Sequence, residues 1–217
     1  MKKNGTGEVS IPAGKVILKG NLNIPERSKG IIIFSHGSGS SRLSPRNRMV
    51  AGCLREKGFG TLLLDLLTPE EDMDYNNRFD IDLLTSRLCE ATEWIEEQGK
   101  AKNCSIGYFG ASTGAASALK AASRYQEIEA VVCRGGRPDL VMADLHKVAA
   151  STLLIVGELD RHVLALNMQA YEKLNCTKRM EIIPGASHLF EEPGTMEKVA
   201  ALAAEWFSSH LFRMAVY

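Results

Sequence analysis

The chain has no surplus of charge of either sign. Lysine and arginine total 26, aspartate and glutamate total 26, and the formal net charge is zero. Nucleic-acid binding proteins neutralise phosphates with an excess of basic side chains, so the balance argues against such a partner. Long apolar runs are also missing, and nothing approaches the ~20 residues that a membrane-spanning helix needs. The opening stretch, Met1 to Gly7, holds charge but no apolar core, so no secretory leader is expected. Cysteine is present but not in a useful pattern. Cys53, Cys89, Cys104, Cys133 and Cys176 are odd in number and never at CxxC spacing, and the histidines do not cluster with them. That disfavours a zinc site or a disulfide framework and reads as reduced thiols in a cytoplasmic protein. No repeat, low-complexity tract or linker divides the 217 residues. One domain over 1–217 is expected, large enough to fold without a metal or a disulfide.

What is present is an alternation of strand and helix signals. Glu8–Ile11 and Lys15–Leu22 read as a hairpin turning around Pro12-Ala13-Gly14. Continuous apolar strands follow at Lys29–Ser35, Thr61–Leu67, Ser105–Phe109, Glu129–Cys133 and Thr152–Val156, with another strand at Arg179–Ile183. Such runs suit strands buried on both faces of a parallel sheet. Helices are expected between them at 47–57, 81–97, 113–123 and 164–174, with a closing helix over 196–210. The clearest is 81–97, where Leu84, Leu88, Ala91 and Ile95 share one face. The pattern predicts an α/β fold with a mostly parallel central sheet of about eight strands and helices on both faces. In such folds the functional loops lie beyond the carboxyl ends of the strands.

Four of those ends carry chemistry. Gly110-Ala111-Ser112-Thr113-Gly114 follows a buried strand and opens a helix, the G-x-S-x-G context in which a serine hydroxyl projects above the sheet. The Thr113 amide, at the helix start, is aimed to stabilise a developing oxyanion. Gly157-Glu158-Leu159-Asp160 offers an acid to orient an imidazole, with Glu158 a rival and helix capping the ordinary role for Asp160. His188, after the last strand, is unremarkable alone, but the chain order Ser112, Asp160, His188 is the one expected for this architecture. The fourth end is Ser35-His36-Gly37-Ser38-Gly39-Ser40, a turn that lets backbone approach a reacting carbon. The Ser38 amide is the expected second oxyanion donor, with Gly39 the alternative, and His36 and Gly37 are expected to line the substrate. Nucleotide binding is disfavoured, because neither G-x-x-x-x-G-K-[ST] nor a G-x-G-x-x-G opening a helix is present.

Taken together, these four turns resemble the α/β-hydrolase superfamily, and within it the dienelactone-hydrolase-like branch, over about residues 17–210. The resemblance implies Ser112 as nucleophile, His188 as general base and acid, Asp160 as its orienting acid, and no cofactor or metal. The namesake enzymes carry cysteine at the elbow where this chain has Ser112. That favours an ordinary serine esterase over a dienelactone substrate.

Only 17 residues, Arg134 to Ala150, stand where this fold inserts a lid, so no large lid domain is expected and the site should be open. Arg134 and Arg137 lie at the same sheet edge as Ser112 and could clamp a carboxylate or phosphate, or else pair with Asp139 or Asp144. The acidic stretch 68–79 reads as a solvated, mobile loop in which Tyr75 or Phe79 could wall the pocket. The expected activity is hydrolysis of small carboxylic esters or thioesters. Amide or peptide hydrolysis on the same residues and a non-catalytic binding module are the rival readings. The expected partner is a small-molecule ester, with no nucleic acid and no membrane. The N-terminal edge strands and the closing helix are surfaces on which a homodimer could form.

Overall fold

A computed structural model describes residues 6–101 and 104–211 of the chain. The expectation about a leader rests on Met1 to Gly7, most of which lies outside the described residues. β1 (Thr6–Ala13) and β2 (Val16–Asn23) form the expected antiparallel hairpin. β3 (Ile31–Ser35), β4 (Gly60–Leu64), β5 (Ile106–Ala111), β6 (Ile128–Arg134), β7 (Ser151–Gly157) and β8 (Lys178–Ile183) complete an eight-stranded sheet in the order β1-β2-β4-β3-β5-β6-β7-β8. β2 meets β4 antiparallel, and every later pairing is parallel.

The continuous apolar strands are explained by a core on each face. Along β3, Ile31 and Ile33 enter one core, and Ile32 and Phe34 enter the other. The first core is closed by α3 (Ile81–Glu96), α4 (Thr113–Arg124) and α5 (Arg161–Lys173). The second is closed by α1 (Pro45–Glu56) and α6 (Thr195–His210). α1 starts where it does because the Ser44 hydroxyl accepts the Asn47 N–H (3.3 Å) and Pro45 occupies the first turn, where its missing N–H costs nothing. Among the described residues no helix is long and apolar enough to cross a membrane.

Two expectations about loops change. β4 ends at Leu64 rather than Leu67, because the Leu66 N–H leaves the sheet to reach His36 Nε2 (3.1 Å). The acidic stretch after it is not an unstructured loop. Thr68 and Glu71 form a reciprocal capping box that starts α2 (Pro69–Asp72), and a 3-10 turn follows at Tyr75–Phe79. Arg78 grips both Asp72 carboxylate oxygens (2.8 and 2.9 Å), and Arg87 of α3 holds Glu71 (2.8 Å). Tyr75 and Phe79 pack on each other, 5.1 Å between ring centroids, and remain exposed. After β6 there are only 3-10 turns at Pro138–Val141 and Leu145–Lys147 before β7, so no lid layer covers the sheet edge there.

Candidate active site

Ser112 sits between β5 and α4 with φ 51° and ψ −120°. A positive φ is uncommon in a residue with a Cβ and must be held by its surroundings. Here α4 enters at very close range. A Cβ built on Gly114 would lie 2.2 Å from the Ser35 carbonyl oxygen and 2.5 Å from that of His36, so only glycine lets the helix start so near β3. The Ser112 N–H donates to the Arg134 carbonyl (3.1 Å), and the Ser112 carbonyl accepts the Arg137 N–H (3.1 Å). The elbow is thereby stitched to the turn after β6. The Thr113 N–H, at the start of α4, has no partner among the described residues.

Asp160 and His188 come together because the loops after β7 and β8 are sewn into one. Glu158 N–H donates to Ile183 O (3.0 Å), and Leu159 N–H donates to Ala186 O (2.9 Å). The Gly185 N–H donates to Glu158 Oε2 (2.8 Å), so the rival acid is spent on this seam. A Cβ on Gly157 would meet the Ala186 and Ser187 carbonyl oxygens at 2.4 and 2.6 Å, which measures how closely the loops press. Asp160 precedes α5 but makes no side-chain cap; its Oδ2 instead lies 2.5 Å from His188 Nδ1. With Nδ1–H committed to the carboxylate, Nε2 is left as the basic nitrogen. The imidazole rests on Gly135, whose φ of 54° and missing side chain make room for it. No hydrogen bond joins Ser112 Oγ to His188 among the described residues, a separation common in ligand-free sites.

The turn after β3 lies against the elbow, since a Cβ on Gly37 would be 3.1 Å from Ser112 Cβ. Three of the expected site residues have partners here. The Ser38 N–H is not free but donates to Thr113 Oγ1 (2.9 Å), because a threonine beside the nucleophile carries its own acceptor. Neither ring nitrogen of His36 is open to a substrate. The residue is buried, its Nε2 accepts the Leu66 N–H, and its Nδ1–H donates to the Gly37 carbonyl (2.9 Å). Burial holds its pKa below the ordinary imidazole value, partly offset by the Gly37 carbonyl and by Asp65 and Asp72. Arg137 takes the pairing alternative, with its guanidinium bidentate on Asp139 (2.8 Å twice). Of the two, Arg134 is the one whose guanidinium has no hydrogen-bond partner among the described residues. Among the described residues no group of three His, Cys, Asp or Glu side chains is placed to hold a metal ion. Burial lifts the Cys133 thiol far above its usual range and that of Cys89 to about 11, so neither is a ready nucleophile.

The model of the dienelactone hydrolase family matches residues 18–213. The chain belongs to that family. It is also similar to a crystal structure of a dienelactone hydrolase from Anabaena variabilis, with 53% identity, a TM-score of 0.91, and coverage of 95% of this chain and 99% of that one. Est1E from Butyrivibrio proteoclasticus shares the fold at 16% identity and a TM-score of 0.76, covering 94% and 98% of the two chains. In two strains of Mycobacterium tuberculosis, relatives that bear a phosphoribosyl transferase name are 53% identical over 205 residues. The match spans 94% of this chain but 46% of theirs, so the chain covers about half their length.

Within this family member, the features that sequence reasoning missed are those made by contact. Gly135 as the floor under His188, Glu158 as a seam and Thr113 Oγ1 as the partner of Ser38 leave no local signal. The glycine pair Gly135-Gly136 was the one available hint, since a glycine at a strand end marks a close approach.

Proposed function

We propose that this α/β hydrolase is a serine hydrolase of small carboxylic esters or thioesters, acting through an acyl-serine intermediate. The observation that carries the reading is the conjunction at one sheet edge of a serine held at positive φ on a strand-to-helix turn and an Asp160–His188 pair. His188 Nε2 takes the proton as Ser112 Oγ attacks the carbonyl carbon, and Asp160 steadies the imidazolium. The Thr113 amide receives the oxyanion. The Ser38 amide joins it, because a charged oxygen is a stronger acceptor than the neutral Thr113 hydroxyl and displaces it. Collapse expels the alcohol or thiol, which takes its proton from His188. Water activated by the same nitrogen then releases the acid and restores Ser112.

The transferase name of the mycobacterial relatives belongs to proteins about twice the length of this match. The family model and the elbow favour hydrolysis for the portion held in common. The test is hydrolysis of 4-nitrophenyl esters, acetate through octanoate, by wild type and Ser112→Ala, with fluorophosphonate labelling alongside. Turnover of short chains and labelling in wild type, both lost in a folded Ser112→Ala, are expected. Equal turnover by the variant removes Ser112 from the chemistry.

A further inference from the structure

Arg134 ends β6 in register with Ala111, one residue before the nucleophile. Neighbouring strands lie about 4.8 Å apart, so its side chain starts within a short substrate's length of Ser112. The guanidinium turns to the α1/α6 side, 5.8 Å from the Phe190 ring centroid. The residue is only 6% exposed, Nε is sealed from solvent without a partner, and no carboxylate pairs with it among the described residues. The charge it feels most is that of Arg46, of like sign, on the first turn of α1. Burial first, and Arg46 second, push its pKa down to about 10, which leaves it a cation at neutral pH. Arg46 itself has a buried, unpartnered Nε, and among the described residues its one carboxylate contact is a terminal nitrogen on the exposed Glu191 (3.1 Å). It borders an open depression of about 440 Å³ that runs from Gly39 past Ser44. A buried charge without a counter-charge opposes folding, and here Arg134 packs over Phe190 while Arg46 reaches Glu191, the next residue along the chain.

We propose that Arg134 and Arg46 form the anion receptor of this site, and that the substrate is a carboxylic ester bearing a phosphate monoester a few bonds from the scissile carbonyl. A phosphate fits better than a carboxylate on two counts. Its double charge answers two guanidinium groups, and its three terminal oxygens can occupy more of the donors left open. The assignment of substrate class rests on the hydrolase reading above, but the receptor can be tested apart from it.

Three esters of similar acyl length separate the cases: 4-nitrophenyl 3-phosphonopropanoate, 4-nitrophenyl hydrogen glutarate and 4-nitrophenyl pentanoate, each measured above its uncatalysed rate. Wild type should prefer the phosphonate by kcat/KM. In Arg134→Met the phosphonate-to-pentanoate ratio should fall about 10- to 100-fold, the loss of hydrogen bonds to a charged group. Arg134→Lys, which keeps the charge without the fork, should lie between, and it serves if the methionine variant does not fold. Arg134→Met should also melt no lower than wild type, because it removes an unpaired buried charge; a merely structural arginine would lower the melting temperature and leave the ratio unchanged. An unchanged ratio with both enzymes active on pentanoate overturns the receptor and leaves the hydrolase intact. A glutarate preference that depends on Arg134 overturns phosphate in favour of carboxylate. If no ester is turned over and the fluorophosphonate does not label Ser112, the hydrolase reading fails first. Inorganic phosphate then decides the receptor: stabilisation of wild type that Arg134→Met loses keeps it, and no stabilisation overturns it.

Discussion

Replacing Gly157 with alanine tests the seam that brings His188 to Asp160. The new Cβ would stand 2.4 Å from the Ala186 carbonyl oxygen and 2.6 Å from that of Ser187. Carbon–oxygen contacts in folded proteins close to about 3.3 Å, so the loop must retreat by roughly 0.9 Å. Both colliding atoms are backbone, one of them in the residue before His188, so no side-chain rotation relieves the clash. Overpacking of this kind costs about 1–3 kcal/mol. In a chain of this size that is a melting temperature lower by about 2–12 °C. The retreat is directed along the β7 to β8 seam and lengthens the 2.5 Å contact between Asp160 and His188. A displacement near 1 Å at a catalytic group costs about a hundredfold in rate. The assay is kcat and KM on a short 4-nitrophenyl ester beside a thermal melt. The loss should appear in kcat, with KM little changed, because the pocket around the acyl group is untouched. Wild-type kcat together with an unaltered melting temperature would refute the reasoning, since the seam would then not be as tight as described.

Three further perturbations test other contacts. Asp160→Asn should fold normally and lose roughly 10⁴-fold in kcat, because an amide no longer holds Nδ1–H or steadies the imidazolium; retention within tenfold would return Asp160 to a structural role. Thr113→Val removes the hydroxyl that holds the Ser38 amide and should raise kcat/KM about two- to tenfold, the worth of one neutral hydrogen bond; a fall of more than tenfold would show that the hydroxyl positions the amide instead. His36 is buried with its folded pKa below the unfolded 6.5, so the unfolded chain binds the proton first as pH drops. Stability contributed by the neutral ring is complete above 6.5 and is lost as pH falls from 6.5 toward the lowered folded value, by up to about 1.4 kcal/mol per pH unit. His36→Gln should flatten that limb in urea unfolding between pH 6.5 and 5, and an unchanged slope would show that the imidazole is not held neutral.

The order and kind of the main elements followed from the sequence for local reasons. A strand buried on both faces must be apolar throughout, as Ile31–Phe34 is, and an amphipathic helix must repeat near every fourth residue, as Leu84, Leu88, Ala91 and Ile95 do. The elbow was legible because its constraint is local too: small residues must flank Ser112 for α4 to start so close to β3. The acidic stretch 68–79 was misread because charge composition does not reveal pairing, and Arg78 and Arg87 turn its carboxylates into fastenings. Whether Asp160 capped α5 or faced His188 could not be decided from residue type, since aspartate does both. The choice was made by the register of β7 beside β8 and the approach allowed at Gly157. Likewise Arg134, which ends β6, and Arg137, three residues on, look alike in sequence. Asp139 is two residues along from Arg137 and pairs with it, while the Arg134 side chain packs over Phe190, where no carboxylate meets it among the described residues. Sequence fixes what each residue can do chemically; packing between segments far apart in the chain decides which partner it meets.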